Sequence, residues 1–476
     1  MKKTYIILST FLMSIGNLSI YAKQVDINNA QTVALNCYYE KVNTGNIVAF
    51  NNIAVTETFT VSDALSNPVY YIFNFGEKGF VIVSAENATT PIIGYSLEGA
   101  YSDIDQPEVF QEWMQQYKEG IIYVRENKLT ANSESTTQWE HYLSTSFVLN
   151  SAKNVLAVGP LLTSKWDQIS PYNDMCPAAS GGPAGSNGHA LTGCVATSMS
   201  QVMYYYKWPI TGVGSHTSTH DGRIVNPGAT TYQWSQMVDI PTAANSAIAT
   251  LMYHCGVVVN MQYGANVSLS DSQYAVTGMV EHFKYHSSMQ KLYRTQYSGN
   301  WATLLKSNLD KKRPVIYGGT CSAMGGHSWI CDGYDASGKF HMNWGFGNKA
   351  PSSYYDVDNF NAGGFIGSVS NHKALVNIYP LTLPGVEEDI ELSSTLNVYP
   401  NPTENQLNIS FNSNSMQNIE IDLTSLVGQT IFSDVNNKFS GSEYSKTIDL
   451  SSVAKGIYIL RIITENGIAN RKVIVE

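Results

Sequence analysis

Two stretches that lack a hydrophobic period divide this chain, and the division limits its fold more than any other feature. Residues 130–138, TANSESTTQ, and the segment running on to about 155 are polar and turn-rich, while residues 381–394, LTLPGVEEDIELSS, carry Pro384, Gly385 and a short acidic run. Both compositions read as exposed linkers. A chain of 476 residues is longer than one typical domain. Folded units are therefore expected over 23–153, 154–380 and 395–476, with 381–394 as a linker and a leader over residues 1–22.

The leader has Lys2 and Lys3, then the apolar run YIILSTFLMSIG, then SIYA ending at Ala22. That is the pattern of a secretory signal peptide, and the run is shorter than the roughly 18 to 20 apolar residues that cross a bilayer. No later segment reaches that length, so no membrane span is expected. The net charge is −10, with no lysine or arginine cluster to follow a phosphate backbone, which argues against nucleic-acid binding. Six cysteines in an exported chain this long do not form a disulfide-dense framework. Cys37, Cys176, Cys255, Cys321 and Cys331 read as thiols that behave as small hydrophobes.

In the first unit, apolar runs at Tyr70–Phe75, Gly79–Ser84 and Ile92–Tyr95 predict strands, with a hairpin turn over Gly76–Gly79. Beyond Pro107, the residues Val109, Phe110, Trp113, Met114, Tyr117 and Ile121 recur on one helical face. The unit reads as a small α+β domain. In the last unit, short strands such as IEIDLTSLVGQTIF and GIYILRIITENG alternate with turn residues, which predicts a small β-sandwich.

The middle unit carries the chemistry. Gly193-Cys194-Val195-Ala196-Thr197 opens a helix in which Val195, Met199, Val202, Met203 and Tyr206 share a face, and Trp208-Pro209 closes it. A cysteine at a helix start lies among unpaired N–H groups at the positive end of the dipole, which favours the thiolate. His327, in GGHSWICDGYD, precedes a strand and can serve as its base. Taken singly, either residue reads as an ordinary buried thiol or a satisfied imidazole. His216 and His220 lie in HTSTH, a loop-like stretch without the glutamate of a zinc peptidase. Asp356, Asp358 and Asn359 lack the later members of a calcium loop. No metal and no cofactor is expected, and Asp332 and Asp335 are assigned to strand and turn.

Three segments, GPLLTSKWDQISPYNDMCP, GHALTGCVATSMSQVMYYYKWP and GGHSWICDGYDASGKFHMNWGFG, resemble the streptopain family of papain-like cysteine peptidases. The stretch YIFNFGEKGFVIVSAENATTPIIGYS resembles that family's inhibitory propeptide. The Pro400-Asn401-Pro402 run, Gly428-Gln429 and GIYILRI resemble a type IX secretion sorting domain. The resemblance implies an α+β fold: a papain-like two-lobed catalytic domain, preceded by a small α+β propeptide and followed by a small all-β sandwich.

It further implies a cysteine endopeptidase made as a zymogen and hydrolysing peptide bonds through a thioester. Cys194 would be the nucleophile and His327 the general base. Gln168 would be the oxyanion-hole glutamine, Trp344 the tryptophan covering the histidine, and Asn343 the residue orienting it. The implied partners are protein or peptide substrates, the chain's own propeptide and the type IX machinery. The implied location is outside a Gram-negative cell, reached through the periplasm, with the product secreted or held at the surface.

An apolar substrate side chain one residue upstream of the position next to the scissile bond is expected, as is a cut near Lys153-Asn154. The chain departs from the family pattern at Phe346, where a second tryptophan is usual, and at Asn348-Lys349-Ala350, where another glycine often follows Gly347. A Cys-His transferase or amidase, or a surface-binding protein with a vestigial site, remains as an alternative.

Overall fold

The computed structural model describes residues 22–43, 48–104, 106–149, 157–319, 326–357, 372–381, 390–413, 417–425, 430–464 and 468–476. Residues 1–21 of the expected signal peptide, the Lys153-Asn154 cut, Cys321, Asp358, Asn359, Gly428-Gln429 and most of the 381–394 linker lie outside the described residues. Two compact units divide the chain after Leu381.

The first unit opens with α1 (Ile27–Val42), β1 (Glu57–Ser62), β2 (Pro68–Asn74), β3 (Phe80–Ser84), β4 (Ile92–Ser96), α2 (Glu108–Glu126) and α3 (Ser133–Leu143). It continues with α4 (Cys194–Tyr206), the short strands β5 (His216–Thr217) and β6 (Ile224–Val225), α5 (Ser246–Val258), α6 (Gln273–Phe283) and β7 (Gln290–Tyr293). Last come α7 (Trp301–Asp310), β8 (Val315–Gly319), β9 (His327–Tyr334), β10 (Phe340–Asn343), β11 (Ser353–Tyr355) and β12 (Lys373–Val376).

Ten of these strands form one sheet in the order β1-β2-β3-β4-β11-β10-β9-β8-β12-β7. Its strands β2, β3, β4, β8 and β9 are buried at nearly every position because both of their faces are covered. Alternate residues serve different cores. Ile72, Ile82, Tyr317, Trp329 and Ala374 face a core shared with α2 and α7. On the other face, Phe73, Val81 and Tyr95 pack with α1 and α3, and Ile316, Ile330 and Leu375 pack with α4, α5 and α6. The catalytic region thus has a helical lobe and a sheet lobe.

Two expectations are corrected. Residues 130–138 are not a linker: Asn132 caps α3 by accepting from the Ser135 N–H, and Trp139 and Tyr142 are buried beside α1. Polar composition concealed this helix because only a narrow stripe of it is apolar. The sequence reading also missed α1, whose Asp26 cap accepts from the Asn28 and Asn29 N–H groups. Its buried stripe of Ala30, Val33, Ala34 and Cys37 is made of small side chains, which give a weak periodic signal.

The N-terminal region, expected as a separate α+β domain, shares its sheet with the catalytic region. β4 pairs with β11 through Tyr95↔Tyr354 and Gly94↔Tyr355. The rings of Tyr95 and Tyr354 stack at 4.9 Å. Glycine is required at position 94, since a Cβ there would lie 2.5 Å from the Tyr355 ring.

The second unit, described from Ile390, begins with α8 (Ile390–Thr395). Seven strands follow: β13 (Asn397–Tyr399), β14 (Gln406–Asn412), β15 (Gln417–Ser425), β16 (Thr430–Phe439), β17 (Glu443–Asp449), β18 (Gly456–Thr464) and β19 (Ile468–Val475). They form sheets β13-β14-β17 and β16-β15-β18-β19, all antiparallel. Leu407, Ile409, Ile421, Leu423, Leu460 and Ile462 build the core between them, as expected of a β-sandwich.

Candidate active site

Gly193 turns the chain into α4 with φ +85, and a Cβ there would lie 2.5 Å from the Met261 methyl carbon. Only glycine meets both conditions without strain. The first turn is fixed by the Thr197 N–H donating to the Gly193 carbonyl at 3.0 Å, and by the Thr192 and Thr197 hydroxyls 2.8 Å apart. Cys194, the first residue of α4, is partly exposed. The Ser198 hydroxyl, one turn on, donates to the Ser328 carbonyl at 3.1 Å. This contact sets the start of α4 against the start of β9, where His327 stands.

Burial pushes the Cys194 thiol up. The charge of the His327 ring, its hydrogen bond, the Ser328 N–H and the charge of Lys373 outweigh burial and bring the thiol below its ordinary value. The other described cysteines move the opposite way. Burial raises Cys37, Cys176 and Cys255 to about 12 and also pushes Cys331 well up. Among the described residues, Cys194 is thus the one cysteine whose thiol is shifted toward the thiolate.

Nε2 of His327 lies 3.0 Å from the Trp344 carbonyl oxygen, which fixes the ring and gives that nitrogen the proton. The Phe346 ring stacks on the imidazole at 4.9 Å and 15°. Gln168 is buried, and its carbonyl accepts from the Thr192 N–H at 3.1 Å, which ties its segment to the approach to Cys194.

Two expected roles are corrected. Asn343 does not orient His327: its amide donates to the Ser164 carbonyl at 2.8 Å and to Gln201 at 3.3 Å, and its side-chain oxygen accepts from the Gly345 N–H. The orienting group is the carbonyl of the next residue. The Trp344 indole does not cover His327 either. It is fully buried, with its centroid 5.7 Å from that of Phe110, 5.6 Å from Trp113 and 5.3 Å from Trp329. Phe346, noted in the sequence only as a departure, provides the covering ring.

The remaining polar candidates serve the scaffold. His216 bonds Asn260 at 3.1 Å. Buried Asp332 accepts from the Leu162 N–H and pairs with His341. Among the described residues no group of three or more histidine, cysteine, aspartate or glutamate side chains is placed to hold a metal.

The family model for the peptidase C10 family matches residues 166–355, which span Gln168, Cys194, His327 and Trp344. Residues 166–355 are a domain of the peptidase C10, or streptopain, family. Around its C10 domain, residues 22–121 match the Spi protease inhibitor model and residues 397–476 the secretion system C-terminal sorting domain.

The chain is 32% identical over 305 residues to the thiol protease/hemagglutinin PrtT of Porphyromonas gingivalis, covering 60% of this chain and 34% of that protein. It therefore spans about a third of that relative's length. It is 29% identical over 348 residues to streptopain of Streptococcus pyogenes, covering 66% and 82% respectively. Among solved structures, a fragment of prointerpain A from Prevotella intermedia matches with TM-score 0.54 and 27% identity, covering 68% of this chain and 98% of that one. The sorting domain marks the chain for type IX export to the surface or the extracellular space. No helix among the described residues is long and apolar enough to cross a membrane.

Proposed function

We propose that the chain is a cysteine endopeptidase, exported as a zymogen whose N-terminal region holds it inactive. The observation that carries this reading is the lowered thiol of Cys194 beside His327, inside a C10 domain that follows an inhibitor-like region.

In the reaction, the Cys194 thiolate attacks the scissile carbonyl carbon and the carbonyl oxygen becomes an oxyanion. The Gln168 amide and the Cys194 backbone N–H donate to that oxygen. His327 acts from the nitrogen opposite Nε2, protonating the leaving amine as the C–N bond breaks and an acyl thioester remains. It then takes a proton from water, the resulting hydroxide attacks the thioester, and the thiolate leaves as the new carboxylic acid is released, which restores the thiolate–imidazolium pair. The Trp344 carbonyl holds the ring through both steps, and Phe346 shields one of its faces.

Latency follows from the shared packing. Phe110 and Trp113 of α2 lie against Trp344, the residue whose carbonyl positions His327. Release requires a cut between the N-terminal and catalytic regions, which we place at Lys153-Asn154.

The test is to incubate the full chain as wild type and as Cys194→Ala, following its size and its cleavage of casein. Shortening near residue 153 and casein cleavage by the wild type alone support the reading. If both remain inert even after an added protease has cut the linker, the peptidase reading fails.

A further inference from the structure

Three strands bring one row of residues up beside the nucleophile. Ser328 pairs with Gly318, and Gly318 pairs with Lys373. Residues directly opposite on antiparallel strands point to the same face of a sheet. This face is the one that α4 covers, because the next row inward, Ile330, Ile316 and Leu375, packs into the helical core. At the row itself α4 has just begun: the Ser328 N–H is among the groups that bring the Cys194 thiol down, and the Ser198 hydroxyl donates to the Ser328 carbonyl.

Strands in a sheet lie about 4.8 Å apart, so two steps put the Lys373 backbone about 10 Å from that of Ser328. The lysine side chain covers part of that span. A Cβ on Gly318 would lie 2.9 Å from Cε of Lys373 and 3.3 Å from its Cγ, so glycine at 318 leaves the room the side chain occupies. The charge of Lys373 reaches Cys194, where it is among the influences that favour the thiolate.

Among the described residues that charge is not consumed by the fold. Lys373 is half-buried, and among the described residues its ammonium has no hydrogen-bond or ion-pair partner. The neighbouring carboxylate, Asp271, is held by Lys291 at 2.7 Å. Burial raises the Asp271 carboxyl, while the Lys291 hydrogen bond, the Gln273 N–H and the charges of Lys291 and Lys373 bring it below its usual value. Two lysines thus act on one carboxylate, which leaves this part of the site positive.

We propose that Lys373 is a specificity-determining residue that selects substrates carrying an aspartate or glutamate side chain at the position lying over the Ser328–Gly318–Lys373 row. The inference rests on the peptidase reading above. An acidic side chain placed there adds opposite-charge attraction to a hydrogen bond with an ammonium that is unpaired among the described residues, whereas an amide of the same size gains the hydrogen bond without that attraction.

The test uses the full chain after maturation and a set of peptides blocked at both ends, so that side chains supply the only carboxylates. In the set, Glu and Gln replace each other at each of three positions upstream and two downstream of the cleaved bond. At one position the wild type is expected to prefer Glu to Gln by about tenfold in kcat/KM, with the preference shrinking as salt is raised. Lys373→Met should bring that ratio to about one, Lys373→Arg should retain it, and Lys373→Glu should reverse it in favour of Gln. A ratio is read because it divides out any effect of the substitutions on the thiolate or on the active fraction. Cleavage of the uncharged peptides with no Glu preference at any position, or a preference that survives in Lys373→Met, overturns the proposal and leaves the peptidase reading standing. Failure of the wild type to cleave any peptide sinks the peptidase reading, and the proposal with it.

Discussion

Nζ of Lys41 lies 3.2 Å from Oδ2 of Asp335, an ion pair that joins α1 of the N-terminal region to the turn between β9 and β10. Their side chains are only 9% and 12% exposed, and the Tyr95 hydroxyl donates to the same carboxylate oxygen at 2.8 Å. Burial raises the Asp335 carboxyl, but the charges of Lys41 and Lys339 and the Ser337 and Tyr95 hydroxyls bring it below its usual value.

Removing one partner of such a pair leaves a buried charge, at a cost of roughly 3 to 5 kcal/mol. Lys41→Met is therefore expected to loosen the N-terminal region and speed maturation of the full chain, read as the time course of shortening and of casein cleavage. An unchanged time course would show that the pair does not hold the zymogen together. Because the Asp335 value is depressed, its contribution is complete above the ordinary carboxylate range and is lost only as pH falls through the lowered value. Mild acid should therefore leave this contact intact.

Gly193→Ala should damage the nucleophile's position without touching the thiol. The substitution forces a side chain into φ +85 and against Met261, a strain of about 1 to 3 kcal/mol. We expect a lower melting temperature and slower alkylation of Cys194, checked by calorimetry and by labelling with an epoxide inhibitor.

The lowered Cys194 value has a direct pH signature. Thiolate is the reactive form, so alkylation should rise with pH through a midpoint below that of an ordinary thiol. In His327→Ala the main opposing charge is gone while burial remains, so the midpoint should move up. A midpoint that is the same in both proteins would rule out the thiolate–imidazolium pair.

Gln168→Ala should lower kcat by about 100- to 1,000-fold if the amide donates to the oxyanion. KM should change far less, since the donor acts mainly on charge that develops in the transition state. Steady-state kinetics on a single peptide separates the two.

Much of the fold was legible because it depends on local pattern. The α2 stripe from Val109 to Ile121, the strands around Gly76–Gly79 and the evenly spaced strands of the C-terminal sandwich are all found where periodicity put them. The helices α1 and α3 were not legible, since one buries mainly small side chains and the other only a narrow stripe in a polar segment. At the site, Cys194 and His327 could be read as chemically distinctive types in distinctive settings. Their supports could not. The group that orients His327 is a backbone carbonyl, which every residue possesses, so the choice of Asn343 over Trp344 followed side-chain chemistry to the wrong neighbour.

The sequence by itself determined the order of an apolar leader segment, an α+β region, a thiol-bearing unit and a β tail, together with the residues able to do the chemistry. These follow from composition, local period and residue type, which are properties of contiguous segments. Only the tertiary structure decided that β4 and β11 unite two expected domains in one sheet, that Phe346 covers the imidazole, and that Lys373 lies in the same row as Ser328. Those relations join residues far apart in the chain. Strand register and packing against both faces of the sheet create them, and no local pattern records which distant segment will be the partner.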